Sequence, residues 1–404
     1  VTRYEYVIVG GGMIADAAAK GIRELDPDSA ILVLGDDPDE PYTRPALSKL
    51  LWIDPSFTED QVPLGTGASG AEVRTGVMVE SIDPEAKTVT VSGAADGRDE
   101  TLEYGALLLA TGGSPIELDV PAGDRVIYFR TFADYRHLRR LAEDRPHVAV
   151  VGGSYIGTEI AAALVQNECR VTLVTPDSVL REKVLPGDLA RRFQGWFEDA
   201  GVEIVPDTRI ASGEATEDGV VLTTEDGGSI EADVVVLGLG ITPNTALAEA
   251  AGLDVEDGIV VDEHLRTSNP SIYAAGDVAS YPDALLGRRR IEHVDLARKQ
   301  GRAAGRAMVG DETPFTYTPY FYSMVFGHRY EAVGTLDSSL DTVAAWAEPL
   351  DKGSVYYLDG DAVQGVLLWG NSSDAEPDAR DGAKEALAEP TRFSREELAG
   401  RTLA

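Results

Sequence analysis

Two short glycine-rich stretches carry the residue types that hold phosphate. The first, Gly10-Gly11-Gly12-Met13-Ile14-Ala15, reads G-x-G-x-x-A, and the second, Gly152-Gly153-Ser154-Tyr155-Ile156-Gly157, reads G-x-S-x-x-G. In each, the first glycine suits a tight turn after a strand. A small third residue lets a pyrophosphate approach the backbone, and Ala15 or Gly157 allows helix and strand to pack closely. The N–H groups of the helix that follows face the phosphates with a partial positive charge. Ser154 is the irregular position, and its hydroxyl is expected to hold the phosphates slightly further out. Each unit ends in an acid that suits ribose hydroxyls: Asp36 lies 21 residues after Ala15, and Asp177 lies 20 residues after Gly157.

Both loops sit in the context that gives the motif meaning. Apolar runs at 4–9 and 30–34 predict strands around an alanine-rich helix that ends near Glu24. Runs at 148–151 and 170–174 predict strands around a helix over 158–167. One such loop is weak support, but two in register imply two dinucleotides. Apolar runs at 107–110 and 234–237 lead into Thr111-Gly112-Gly113 and Gly238-Leu239-Gly240, turns suited to closing each sheet over a cofactor. Ile272-Tyr273-Ala274-Ala275-Gly276-Asp277 adds a strand, a glycine turn and a carboxylate suited to the ribityl hydroxyls of a flavin.

The whole chain sets limits. With 404 residues it exceeds one compact domain, and 43% hydrophobic content supports a sizeable core. No apolar run is long enough for a membrane-spanning helix, and the chain runs directly into its first strand, so a cytoplasmic location is the default expectation. Acidic residues number 69 against 35 basic ones, a net charge of −34. That balance disfavours nucleic-acid and membrane-surface binding and fits a halophilic source, where salt screens self-repulsion. Cys169 is the only cysteine, so no internal redox disulfide exists, and its apolar surroundings predict a packing role. No metal site is expected.

The segments Pro41-Tyr42-Thr43-Arg44-Pro45-Ala46-Leu47-Ser48-Lys49-Leu50-Leu51-Trp52 and Gly287-Arg288-Arg289-Arg290-Ile291-Glu292-His293, with Tyr330-Glu331-Ala332-Val333-Gly334, carry a family resemblance. It runs to about Trp369-Gly370-Asn371. The chain resembles FAD-dependent reductases of the pyridine nucleotide-disulfide oxidoreductase superfamily, in the branch of ferredoxin reductases and apoptosis-inducing factor that lacks the redox disulfide. The resemblance implies an α/β fold with two Rossmann-like, glutathione reductase-like domains and a C-terminal α+β domain. The expected divisions are 1–117 and 245–312 for FAD, 118–244 for NAD, and 313–404 for the C-terminal domain, which in the family often makes dimer contacts.

The resemblance also assigns roles. Lys49 matches a lysine near flavin N5, and Glu159 matches its glutamate partner. Glu292 and His293 match the pair beside flavin and nicotinamide, and Arg44 and Arg130 match FAD contacts. Gly10, Gly12, Met13, Ala15, Asp36, Val79, Thr111, Gly112, Gly276, Asp277 and Phe326 complete the expected FAD set, with Phe326 replacing a tryptophan of the family. Gly152, Gly153, Ser154, Tyr155, Ile156, Gly157, Glu159, Asp177 and Gly240 form the expected NAD set. The helix starting near His293 would aim its N-terminus at the anionic N1–C2=O region of reduced flavin. Asp177 favours NADH over NADPH, although Arg181 and Lys183 lie close enough in sequence to soften that preference. Residues 288–290 read as a solvated basic patch or as a landing site for an acidic carrier. Residues from 371 read as peripheral helices or a loosely packed tail. Three outputs remain open: a small iron–sulfur carrier, quinones or oxygen, or a redox-sensing complex of reduced flavin with NAD.

Overall fold

The structure is a computed structural model that describes residues 1–92, 99–370 and 377–403; Asn371, where the resemblance ends, lies outside them. It is mixed α/β and divides into two compact units. Unit one comprises Val1–Arg44, Thr58–Ser114 and Thr242–Pro319, and unit two comprises Pro45–Phe57, Pro115–Ile241 and Tyr320–Ala404.

Unit one is built on a seven-stranded sheet. Thr2–Val9 lies parallel between Ile31–Leu34 and Glu100–Leu109, and Ile272–Ala274 returns late in the chain to pair parallel with Glu100–Leu109. Ile31–Leu34 is buried along its whole length, as a parallel strand covered on both faces must be. The helix Met13–Arg23 covers one face and packs against Val294–Met308. Small residues permit this approach: a Cβ added at Gly305 would stand 2.1 Å from the Ala18 carbonyl oxygen. The alanine-rich stretch after the first loop is therefore a helix-packing surface as well as a good helix former.

Unit two repeats the theme with a five-stranded parallel sheet. His147–Val151 is flanked by Arg170–Val174 and Val234–Leu237, with Glu203–Val205 and Val126–Tyr128 at the edges. Cys169, free and buried, precedes the second of these strands, and burial pushes its thiol pKa up. It is a packing residue, with no thiolate character to support nucleophilic work. A separate five-stranded antiparallel sheet runs in the order Tyr320–Val325, His328–Gly334, Ala362–Trp369, Lys352–Asp359, Asp341–Glu348.

The described residues after 376 pack against that sheet. The helices Pro377–Ala388 and Arg395–Ala399 bury Ala383, Ala386 and Leu398 completely. Arg380 grips the fully buried Glu331 carboxylate through both oxygens at 2.7 Å. Of the two forms expected for this segment, helices are what the described residues show. Their acidic composition belongs to the outer face, while alanine and leucine at helical spacing supply the inner one.

Candidate active site

The first loop shows why the motif needs glycine. Gly10 has φ +115°, a left-handed conformation, and an added Cβ would lie 2.1 Å from the Ala110 carbonyl oxygen. Gly12 caps the Met13–Arg23 helix, and no atom lies within 4 Å of where its Cβ would be. The result is an open cradle at a helix N-terminus, which fits a pyrophosphate. Asp36 stands exposed just past the second strand. The neighbouring Asp37 is committed to the loop, accepting from the Tyr42 hydroxyl at 2.9 Å and from the Asp39 N–H at 3.0 Å.

Unit one gathers most of the residues expected around FAD: Gly10, Gly12, Met13, Ala15, Asp36, Arg44, Val79, Thr111, Gly112, Gly276, Asp277, Glu292 and His293. The Arg44 guanidinium lies 5.2 Å from the Tyr42 ring centre. Thr111 donates to the Asn244 carbonyl at 2.8 Å, fixing the turn through Gly112. The Val79 side chain points into the hydrophobic core, so only its backbone is left to meet a ligand. The Gly276 N–H donates to the fully buried Gln300 Oε1 at 2.6 Å, which sets the turn that presents Asp277.

His293 is the N-cap residue of the Val294–Met308 helix, as its place before that apolar-periodic run suggested. Burial pushes its pKa down to about 4 against the pull of Asp277, so the imidazole is neutral at pH 7. Arg288 is exposed and Arg289 and Arg290 are half-buried, and each also has local hydrogen-bond partners. Arg288 donates to the Val261 and Ser280 carbonyls, Arg289 to the Leu286 carbonyl, and Arg290 to Asp257, Glu292 and the Asp277 carbonyl. Glu292 is thereby held by Arg290 at 2.6 Å.

Unit two holds the second loop. Gly152 has φ +118°, and a Cβ on Gly157 would fall 1.8 Å from the Gly152 carbonyl oxygen. The helix begins at Tyr155, earlier than the pattern suggested, because Gly157 belongs to its first turn. Ser154 caps it, and the Ser154 hydroxyl donates back to the Gly238 carbonyl at 2.9 Å. The irregular residue thus turns its side chain toward the sheet, and the loop still fits a dinucleotide phosphate. Asp177 lies three residues past the end of the second strand and pairs with Lys183 at 2.5 Å. Arg181 does not join them: it is 6% exposed and faces inward.

The same helix carries Glu159, only 4% exposed. Its Oε2 accepts from Lys49 Nζ at 2.6 Å and from the Ser48 hydroxyl at 2.7 Å, and its Oε1 accepts from the Ser323 hydroxyl at 3.0 Å. A buried ion pair is tolerable only when its remaining lone pairs are satisfied, and here three donors meet that condition. The Tyr322 ring centre stands 5.8 Å from Lys49 Nζ. Phe326, expected near the flavin, occupies the turn before His328–Gly334 with φ +51° and packs edge-on against Phe197. Arg130 precedes the Phe132–Ala142 helix, where its N–H donates to Asp134. Sequence reasoning missed Ser48, Ser323 and Tyr322. Adjacency to Lys49 pointed to Ser48, whereas the other two had no local signal.

Known proteins resemble this chain over most of its length. Residues 4–301 match the family model described as pyridine nucleotide-disulphide oxidoreductase. The chain is 34% identical over 368 residues to the ferredoxin–NAD(+) reductase component of an anthranilate 1,2-dioxygenase system from Burkholderia cepacia, covering 88% of each chain. It is 32% identical to a putative apoptosis-inducing factor from Drosophila melanogaster over 86% of this chain, but spans only 52% of that longer relative. Among solved structures, a covalent putidaredoxin reductase–putidaredoxin complex superposes with a TM-score of 0.87 at 30% identity, covering 99% of this chain and 96% of that one. The chain belongs to the pyridine nucleotide-disulphide oxidoreductase family. It is an FAD-dependent NAD(P)H oxidoreductase of the ferredoxin reductase-like type, working without an internal disulfide.

Proposed function

We propose that this enzyme takes reducing equivalents from NADH and delivers them singly to a small iron–sulfur carrier of the ferredoxin type. The observation that carries the reading is the buried Lys49–Glu159 pair, clamped by Ser48 and Ser323, on the helix that follows the second glycine loop. FAD supplies the conversion between two-electron and one-electron chemistry. The chain's own residues do the rest. The loop over residues 10–15 and Asp36 hold one dinucleotide, and the loop over residues 152–157 and Asp177 hold the other. Glu159 fixes the Lys49 ammonium, a donor that favours electron arrival at flavin N5. The neutral His293 and the N-terminus of its helix would stabilise negative charge developing on a bound flavin. The likeness to a ferredoxin–NAD(+) reductase and to putidaredoxin reductase supports the carrier assignment. The four-part division at 117, 244 and 312 is part of the same proposal.

Asp177 supports NADH, since its carboxylate repels a 2′-phosphate. Lys183 neutralises part of that repulsion at 2.5 Å, so NADPH is expected as a poorer substrate that is still accepted. The test is anaerobic reduction by each nucleotide, followed by transfer to added ferredoxin with cytochrome c as the final acceptor. Turnover that rises with added ferredoxin supports the reading. Slow reduction to a long-lived nucleotide complex that ignores ferredoxin supports the redox-sensor reading instead, for which the Drosophila relative speaks.

A further inference from the structure

One buried cation is used by none of the chemistry above. Arg181 is 6% exposed, yet its Nε and Nη2 meet no acceptor among the described residues. A buried guanidinium with orphaned donors is costly, and a protein that keeps one requires a reason. Its backbone is unusual too. Arg181 has φ +66°, a left-handed conformation uncommon for a side-chain-bearing residue, and such strain clusters at working sites.

What Arg181 does touch is specific. Its guanidinium carbon lies 3.6 Å from the ring centre of Tyr155, close enough for a strong cation–π contact in a desolvated setting. Tyr155 is the first residue of the second-loop helix, and its ring also meets the Phe321 ring, edge-on at 5.2 Å. Glu159 follows Tyr155 by one helical turn, so the two project from one face. One cation, Lys49, closes on Glu159, and a second, Arg181, closes on Tyr155. Burial works against the Arg181 charge, but the hydroxyls of Tyr330 and Tyr155 more than offset it, and the guanidinium is held above its ordinary range.

We propose that Arg181 is a positioning residue of the nucleotide site: stacked on Tyr155, it fixes the first helical turn after the second glycine loop, and nicotinamide nucleotide affinity depends on that contact. The inference rests on the reading that this loop takes the nicotinamide nucleotide. Left-handed backbone at Arg181 turns the side chain inward, away from Asp177 and the ribose position. The energetic cost of burying the cation is offset by the ring face and by a first turn that need not be ordered when nucleotide arrives.

The test is direct calorimetric binding of NAD+ to the FAD-loaded protein, without turnover. Arg181→Met is expected to weaken NAD+ binding about tenfold while the flavin spectrum and FAD content stay native. Tyr155→Ala is expected to do the same, and the double variant to be no weaker than either single one, because both remove one contact. Arg181→Lys, which keeps a cation over the ring, is expected within about threefold of the native protein. Native-like NAD+ affinity in Arg181→Met, or full additivity with Tyr155→Ala, overturns the proposal. If the methionine variant does not fold, a tenfold loss in folded Arg181→Lys also overturns it. Absence of NAD+ binding to the native protein would instead sink the underlying reading of the loop.

Discussion

The two glycine loops share a backbone plan and differ in what their helices carry. After the first loop, the Met13–Arg23 helix presents alanines and serves as packing surface for Val294–Met308. After the second, the Tyr155–Gln166 helix presents Tyr155 and Glu159, each engaged by a buried or nearly buried cation. On the proposed function, the first loop is a holder, whereas the second is a holder joined to reactive machinery. A cofactor that stays bound needs shape and satisfied hydrogen bonds. A nucleotide that comes and goes needs side chains tied to its arrival.

The largest effect that separates the two loops is steric. Gly157→Val places a side chain on a carbonyl oxygen only 1.8 Å from the added Cβ. It is expected to abolish NAD+ binding by calorimetry while FAD absorbance persists. Loss of FAD along with NAD+ would show that the loops are not independent holders.

Next comes the ion pair. Lys49→Ala leaves the Glu159 carboxylate buried with only two hydroxyl donors, and breaking such a pair costs on the order of 3 kcal/mol. Chemical denaturation should register that loss, and stopped-flow flavin reduction by NADH should slow by about 10- to 100-fold. An equally fast reaction in a folded Lys49→Ala protein would remove the pair from the mechanism.

The holder in unit one has its own signature in pH. The pKa of His293 is lowered in the folded state to about 4, below the ordinary 6.5. Between those values the unfolded chain binds the proton and the folded one does not, so stability falls as pH drops through that window. At roughly 1.4 kcal/mol per unit the loss reaches about 3 kcal/mol by pH 4. His293→Gln should flatten this part of the denaturation midpoint against pH, and an unchanged slope would assign it elsewhere.

The smallest effect belongs to the irregular residue. Ser154→Gly removes a hydroxyl bonded to the Gly238 carbonyl, worth about 1 kcal/mol, and restores the usual loop. NAD+ affinity should stay within about threefold. A larger gain would mean that the hydroxyl does push the phosphates outward.

Much of this was legible in the sequence because it is local. A strand, a glycine turn, a helix and a terminal acid fall within about 30 residues, and both copies fold as their patterns indicate. The Arg170–Val174 and Val234–Leu237 strands and the Val294–Met308 helix coincide with their apolar runs. The clamp on Glu159 was not legible in the same way. Ser48 and Ser323 reach it from 111 and 164 residues away, and a serine in a strand carries no mark of its partner. Nor did proximity in sequence tell Lys183 from Arg181. One residue separates them, yet Arg181, with left-handed backbone, is buried while Lys183 meets Asp177. The same is true of Tyr322, since only the folding of the strand Tyr320–Val325 brings its ring to 5.8 Å from Lys49 Nζ.

On the proposed function, the second loop and its helix deliver reducing equivalents for onward one-electron transfer. Its most direct test is anaerobic stopped-flow mixing of the FAD-loaded enzyme with NADH, followed by mixing with oxidised ferredoxin. Flavin bleaching is expected to saturate with NADH and to depend on Lys49, followed by prompt reappearance of oxidised flavin as ferredoxin is reduced. A flavin that NADH reduces but that stays reduced in the presence of ferredoxin would contradict it.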